Sequence, residues 1–186
     1  MITTAWAGLM SSPRQAEDVK LISSFFSPHK ELITRVIGEL EQIFGSTDWI
    51  SPELFFDRTK YYAKEMGWPL HRRFVSFERL IRPLSIVEIK LTTNRIENDN
   101  LQEEKRQINI DPGYISMERL VLATGKNYGH RIYLSKGIYA DLSLIFHKGS
   151  FVPLQWTYRD YASPEIIALF NGVRERYKRQ LRGIAD

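Results

Sequence analysis

The chain has 186 residues, 43% of them hydrophobic and 26% charged, which suits a globular protein with one core or at most two small domains. It contains no cysteine, so disulfides, iron–sulfur clusters, haem-thiolate sites and thiol nucleophiles are excluded. The net charge of +4 is uneven: Arg174, Arg176, Lys178, Arg179 and Arg182 against Glu175 and Asp186 leave +3 on residues 171–186, and the rest of the chain sums to +1.

The uncharged run Met1–Pro13 falls short of the roughly 18 to 20 apolar residues of a bilayer span, and its start lacks the basic region of a secretory signal. A cytoplasmic protein with no membrane contact is therefore expected. Ser11-Ser12-Pro13-Arg14-Gln15 breaks any pattern, so residues 1–17 read as an N-terminal arm and residues 18–186 as a single domain. Val19–Phe26 is rich in β-formers and predicts a strand, and Ser27-Pro28 predicts the start of a helix. Leu32, Ile33, Val36, Ile37, Leu40, Ile43 and Phe44 recur at helical spacing up to Gly45. Trp49–Phe56 predicts a second strand, Tyr61–Met66 a helical turn and Arg72–Ile81 a third strand. After Pro83, the spacing of Ile86, Ile89, Thr93 and Ile96 predicts a second long helix, and Arg106–Ile110 alternates as a fourth strand. The order β-α-β-β-α-β over residues 19–112 predicts an α+β fold with a ferredoxin-like core, an antiparallel sheet with two helices on one face.

The remaining third is expected to add a C-terminal β-hairpin and helix extension. Ser116 is placed to cap a short helix through Met117, Leu120, Val121 and Leu122 that stops at Gly125. Ile132 and Leu134 alternate before Lys136-Gly137, and beyond that turn Ile138, Ala140, Leu142, Leu144 and Phe146 share one face opposite Tyr139, Asp141, Ser143 and His147. Ser150–Leu154 pairs back. Ser163-Pro164-Glu165 opens a last helix with the stripe Ile166, Phe170, Val173, Tyr177 and Leu181, leaving Arg174, Lys178 and Arg182 for the solvated side. The basic excess thus collects near a helix C-terminus, where it favours the macrodipole, rather than over a phosphate-tracking face.

Most catalytic motifs are missing. The only Gly-Lys, Gly125-Lys126, is followed by Asn127 and has Leu120 where a P-loop needs its first glycine. Asn-Lys-x-Asp, Gly-x-Gly-x-x-Gly and Gly-x-Ser-x-Gly do not occur. His29, His71, His130 and His147 lie at unrelated spacings, so no metal site is expected and no cofactor is implied. An RNA-recognition platform fails because Arg72-Arg73-Phe74-Val75-Ser76 keeps only part of its aromatic signature.

What stands out is polar and aromatic residues at three segments read as turns: Asn109–Tyr114, Asn127–Arg131 and Trp156–Tyr161. Asp111 and His130 are the candidates to move a proton. Tyr114, Arg131, Lys136, Tyr139, Trp156 and Tyr158, with Lys126 nearby, are the candidates to hold a small phosphate- or nucleotide-containing ligand. The alternative is that the same face, without chemistry, contacts RNA or a partner protein. Either reading requires the three segments to converge away from the stripe of the last helix.

The strings Tyr61-Tyr62-x-x-Glu65-Met66-Gly67, Arg73-Phe74-x-Ser76-Phe77-Glu78-Arg79-Leu80-Ile81, Asn109-x-Asp111-Pro112-Gly113-Tyr114, His130-Arg131-Ile132-Tyr133-Leu134-x-Lys136-Gly137 and Trp156-Thr157-Tyr158-x-Asp160-Tyr161 follow one another in a distinctive order. From Val19 to Leu181 the chain resembles a bacterial family catalogued as domain of unknown function number 4416. Some members carry the label GTP-binding protein, which conflicts with the absent P-loop and Asn-Lys-x-Asp motifs and reads as an inherited name; the resemblance brings no activity, catalytic residue or cofactor with it.

Overall fold

The computed structural model describes residues 12–55 and 63–183. In chain order it contains β1 (Val19–Ser27), α1 (Lys30–Phe44), β2 (Thr47–Ile50), β3 (Leu54–Phe55), α2 (Ala63–Met66), β4 (His71–Ile81), α3 (Ile86–Asp99), β5 (Asn109–Ile115), β6 (Arg119–Thr124), β7 (Arg131–Ser135), β8 (Ile138–His147), β9 (Ser150–Pro153) and α4 (Pro164–Leu181). Most of the predicted arm lies outside the described residues, as do Phe56, Tyr61 and Tyr62; residues 12–17 are exposed and carry no regular structure. Among the described residues no helix is long and apolar enough to cross a membrane.

The nine strands form one sheet in the order β2-β4-β1-β5-β6-β8-β7, with β3 also on β4 and β9 also on β8, and every pairing is antiparallel. The fold is thus mixed α and β around a large antiparallel sheet. β1 is buried along its whole length because both faces of the sheet are covered. On one face Leu21, Phe25, Val75, Phe77 and Ile110 meet Ile33, Val36 and Leu40 of α1 and Ile86, Ile89 and Ile96 of α3. On the other, Ile22, Phe74, Ile115, Leu120 and Leu144 meet Ile166, Phe170, Val173 and Tyr177 of α4. Ser163 caps α4 as its sequence requires, accepting from the Ile166 N–H at 3.4 Å.

Several expectations need correction. The segment read as a helix from Ser116 to Gly125 contains strand β6: its unbroken apolar run is buried on both faces, a pattern that periodicity cannot separate from a helix. Consequently the C-terminal part is more than a hairpin, since β6 joins β7–β9 to the same sheet. Asp111-Pro112-Gly113 lies inside β5, not in a turn after Ile110. In β8 a bulge at Ser143 lets Leu142 and Leu144 oppose consecutive residues Val121 and Leu120. The bulge reverses the faces, so Ile138 packs with the α1/α3 layer and Leu144 with α4.

At α1, the helix begins at Lys30 with His29 at the cap, and the Ser27 hydroxyl instead accepts from the His29 N–H at 3.0 Å while donating to the Gln107 carbonyl at 2.6 Å. At α4, Arg174 is buried, its guanidinium 3.3 Å from the Phe146 ring centre and donating to the Met117 carbonyl, whereas Leu181 is 40% exposed. Four residues turn a helix by about 400°, so Arg174 sits only about 40° from Phe170, beside the apolar stripe and not opposite it.

Candidate functional site

The site begins with a backbone irregularity. β5 pairs with β6 only as far as Gly113 and Leu122. The next nitrogen that β6 would need is that of Pro112, which has no N–H, so β6 separates and a notch opens between the strands. Gly113 permits the last close contact: a Cβ there would lie 2.5 Å from the Val121 carbonyl oxygen.

Beyond the notch the open edge of β5 is satisfied by α3. The Ile110 N–H donates to Glu97 Oε1 at 2.5 Å, and the Ile110 carbonyl accepts from Lys90 Nζ at 2.8 Å. Lys90 Nζ is also 3.6 Å from Asp111 Oδ1, so a buried ammonium reaches a carboxylate that is 36% exposed. Asn109 donates to the other Asp111 oxygen at 2.8 Å and accepts from Arg106, which grips both Glu65 oxygens at 2.7 Å. Burial pushes the Glu97 carboxyl up to about 7, with Lys90 and the Ile110 N–H opposing that rise.

A second cluster lies two strands away on the same face, since Gly113, Leu122 and Asp141 occupy one cross-strand row and Asp111 follows two residues along β5. Asp141 is buried in β8. It accepts from Arg131 Nε at 2.8 Å, lies 3.4 Å from His130 Nε2, and receives the Ser143 hydroxyl at 3.2 Å. Arg131 continues outward, donating to the Lys126 carbonyl at 2.9 Å and to the Tyr158 hydroxyl at 2.7 Å. The His130 ring stacks on Trp156, centres 5.0 Å apart and 13° from parallel.

The loop that carries Trp156 and Tyr158 is held by backbone left open on β8. β7 pairs with residues 138–141 and β9 with residues 144–147, leaving the carbonyls of Leu142 and Ser143 between them. Trp156 Nε1 donates to the first at 2.8 Å and the Thr157 hydroxyl to the second at 2.5 Å. This docking carries the chain on to Asp160 and Tyr161. Asp160 pairs with buried Arg72, whose guanidinium also donates to the Ser24 hydroxyl and lies over the Phe74 and Tyr161 rings. The Tyr161 hydroxyl is buried beside Ser24 without a hydrogen bond of normal geometry. Burial raises the pKa of Tyr158 and Tyr161, and the charge of Asp111 acts on both, as well as on Arg72.

Of the residues singled out by sequence, His130, Arg131, Trp156 and Tyr158 are brought into direct contact, and Asp111 shares their face at the notch. Tyr139 stands on that face too, its ring edge-on to Tyr133 at 5.3 Å. Two do not join them. Tyr114 alternates to the other side of β5 and packs with the α1/α3 core, while Lys136, in the tight turn between β7 and β8, pairs with Glu88 of α3 at 2.5 Å. Asp141, Lys90, Glu97, Arg72 and Asp160 were not among the candidates. The available signal was a charge in an apolar frame: Asp141 between Ala140 and Leu142, and Lys90 and Glu97 beside the stripe of α3. Among the described residues, no group of three or more His, Asp or Glu side chains is arranged to hold a metal ion.

Neither curated proteins nor solved structures give a match to the chain. Residues 17–177 match the family described as domain of unknown function (DUF4416), a span that takes in every element of this site. The chain therefore belongs to that family.

Proposed function

We propose that the protein binds a small phosphate- or nucleotide-containing molecule on the sheet face between the notch and the Asp141 cluster. The observation that carries the reading is the Arg131–Tyr158 contact: a guanidinium fixed from behind by buried Asp141 meets, at 2.7 Å, a phenol that is 49% exposed. Because the Tyr158 oxygen already accepts from Arg131, its O–H is held ready to donate to an anion, and its exposed ring offers a face to a base. Trp156 extends the ring surface, Lys126 adds charge, and Asp111, steadied by Lys90 and Asn109, is the acceptor for a ligand hydroxyl or proton. We also read β1–α1–β2–β4–α3–β5 as a ferredoxin-like unit to which β6–β9 and α4 are appended, a reading supported by the local order β2-β4-β1-β5. A second reading, contact with RNA or protein, rests on exposed Tyr128 just before β7 and exposed Ile132 and Tyr133 within it.

A thermal-shift screen against GTP, ATP, ribose phosphate, inorganic phosphate and a short single-stranded RNA separates these readings. A ligand that binds only the folded state adds about 2.7 kcal/mol at 100 times its Kd. A saturable rise with a nucleotide or sugar phosphate, lost in Asp111→Asn and Tyr158→Phe, is the expected outcome. A rise with RNA alone, or with none of the five, contradicts the proposal.

A further inference from the structure

A cavity of about 250 Å³ lies on the other face of the sheet, between the first turns of α1 and strands β2 and β4. It is remote from the notch, because Arg73 and His71 alternate with Arg72 and so point to the α1 side. We propose that it is a second binding site, for a small carboxylate with a short apolar tail.

Its lining divides by chemistry. Ile33, Ile37 and Ile50 make an apolar wall, whereas Lys30, His71 and Arg73 carry the polar groups against a single carboxylate, Glu53. That carboxylate is already occupied. Glu53 Oε1 receives Lys30 Nζ at 2.7 Å and lies 3.1 Å from His71 Nδ1, so the imidazole presents its other nitrogen elsewhere. Lys30 holds the Glu53 pKa below the usual carboxylate range, which keeps this clamp charged. Arg73 is anchored through one nitrogen to the Ser51 carbonyl at 2.6 Å. Lys30 and Glu53 offset each other and leave the Arg73 charge in excess, hence an anionic ligand; a guanidinium matches a planar carboxylate, and the isoleucines match a short alkyl chain. The volume lies below the range of drug-sized pockets, which limits the ligand to a few carbons.

The test is titration of isotope-labelled protein with butyrate and hexanoate, and with the corresponding uncharged amides, followed by backbone and methyl NMR shifts. Saturable shifts at Ile37, Ile50 and Arg73 with a Kd at or below about 1 mM are expected for a carboxylate, with at least tenfold weaker binding of its amide. Ile50→Glu, at a 45% exposed position that tolerates charge, and Lys30→Met, at an exposed ammonium, should each weaken binding at least tenfold without altering the rest of the spectrum. Absence of saturable shifts, equal binding of acid and amide, or undiminished binding by Ile50→Glu would overturn the proposal. None of these outcomes depends on the face that carries Arg131 and Tyr158.

Discussion

Gly113 is the position where one added methyl group meets backbone directly, with the Val121 carbonyl oxygen 2.5 Å and Leu122 Cδ2 2.8 Å from an introduced Cβ. Gly113→Ala should therefore lower stability by about 1–3 kcal/mol, read as a fall in the urea midpoint; an unchanged midpoint would mean that β6 yields freely. Glu97 gives a pH signature. Folding raises its pKa from the ordinary 4.5 to about 7, so the folded state binds its proton more tightly than the unfolded chain. That contribution is complete below the unfolded pKa and is lost as pH rises through the folded one. The stability of the wild type relative to Glu97→Gln should fall between about pH 5 and pH 8, and a constant difference would place Glu97 in water. Asp141 supplies a third test, because Arg131→Ala leaves a buried carboxylate without its closest partner and should cost about 3–5 kcal/mol. At this scale His130, Arg131 and Tyr158 were legible because polar residues crowd there; Lys90 and Glu97 were not, since their task is to satisfy the backbone of one residue, Ile110.

Helix α4 shows how elements depend on one another. Ile166, Phe170, Val173 and Tyr177 close the apolar part of one face of the sheet, and each buried side chain of this kind is worth about 1.5–3 kcal/mol. Truncation after Ser163 should thus abolish cooperative unfolding, measured by circular dichroism during heating. Within the helix, Arg174→Ala should destabilise by more than 1 kcal/mol through its lost contacts with Phe146 and the Met117 carbonyl, whereas Lys178→Ala should stay within about 0.5 kcal/mol. Equal effects would mean that the basic residues share one environment. Elements with strong periodicity, α1, α3, α4 and β4, were readable within a few residues. β6 was not, because Leu120-Val121-Leu122-Ala123 carries no alternation once both faces of its strand are buried. The β8 alternation was visible but misassigned beyond Ser143, since a bulge changes which face a residue takes and leaves no mark in hydropathy.

Across the molecule, one sheet carries two different surfaces. The α1/α3 side is apolar in depth, while the opposite side passes from the α4 core to a polar region where three distant segments meet. Their meeting depends on long-range pairing: Asp111 on β5, Arg131 on β7 and Asp141 on β8 are joined through β6, and Tyr158 arrives only because Trp156 and Thr157 bind the carbonyls left between β7 and β9. Sequence could mark the segments but not that junction, which is set by strand order. It also could not exclude Lys136, an exposed turn residue that faces α3 and pairs with Glu88. The most direct measurement is calorimetric titration of the wild type, Tyr158→Phe and Lys136→Ala with GTP and ribose phosphate. Saturable binding of one of them to the wild type and to Lys136→Ala, weakened at least tenfold in Tyr158→Phe, is the predicted result. No binding to the wild type, or loss in Lys136→Ala with Tyr158→Phe unaffected, would contradict a ligand site on this face.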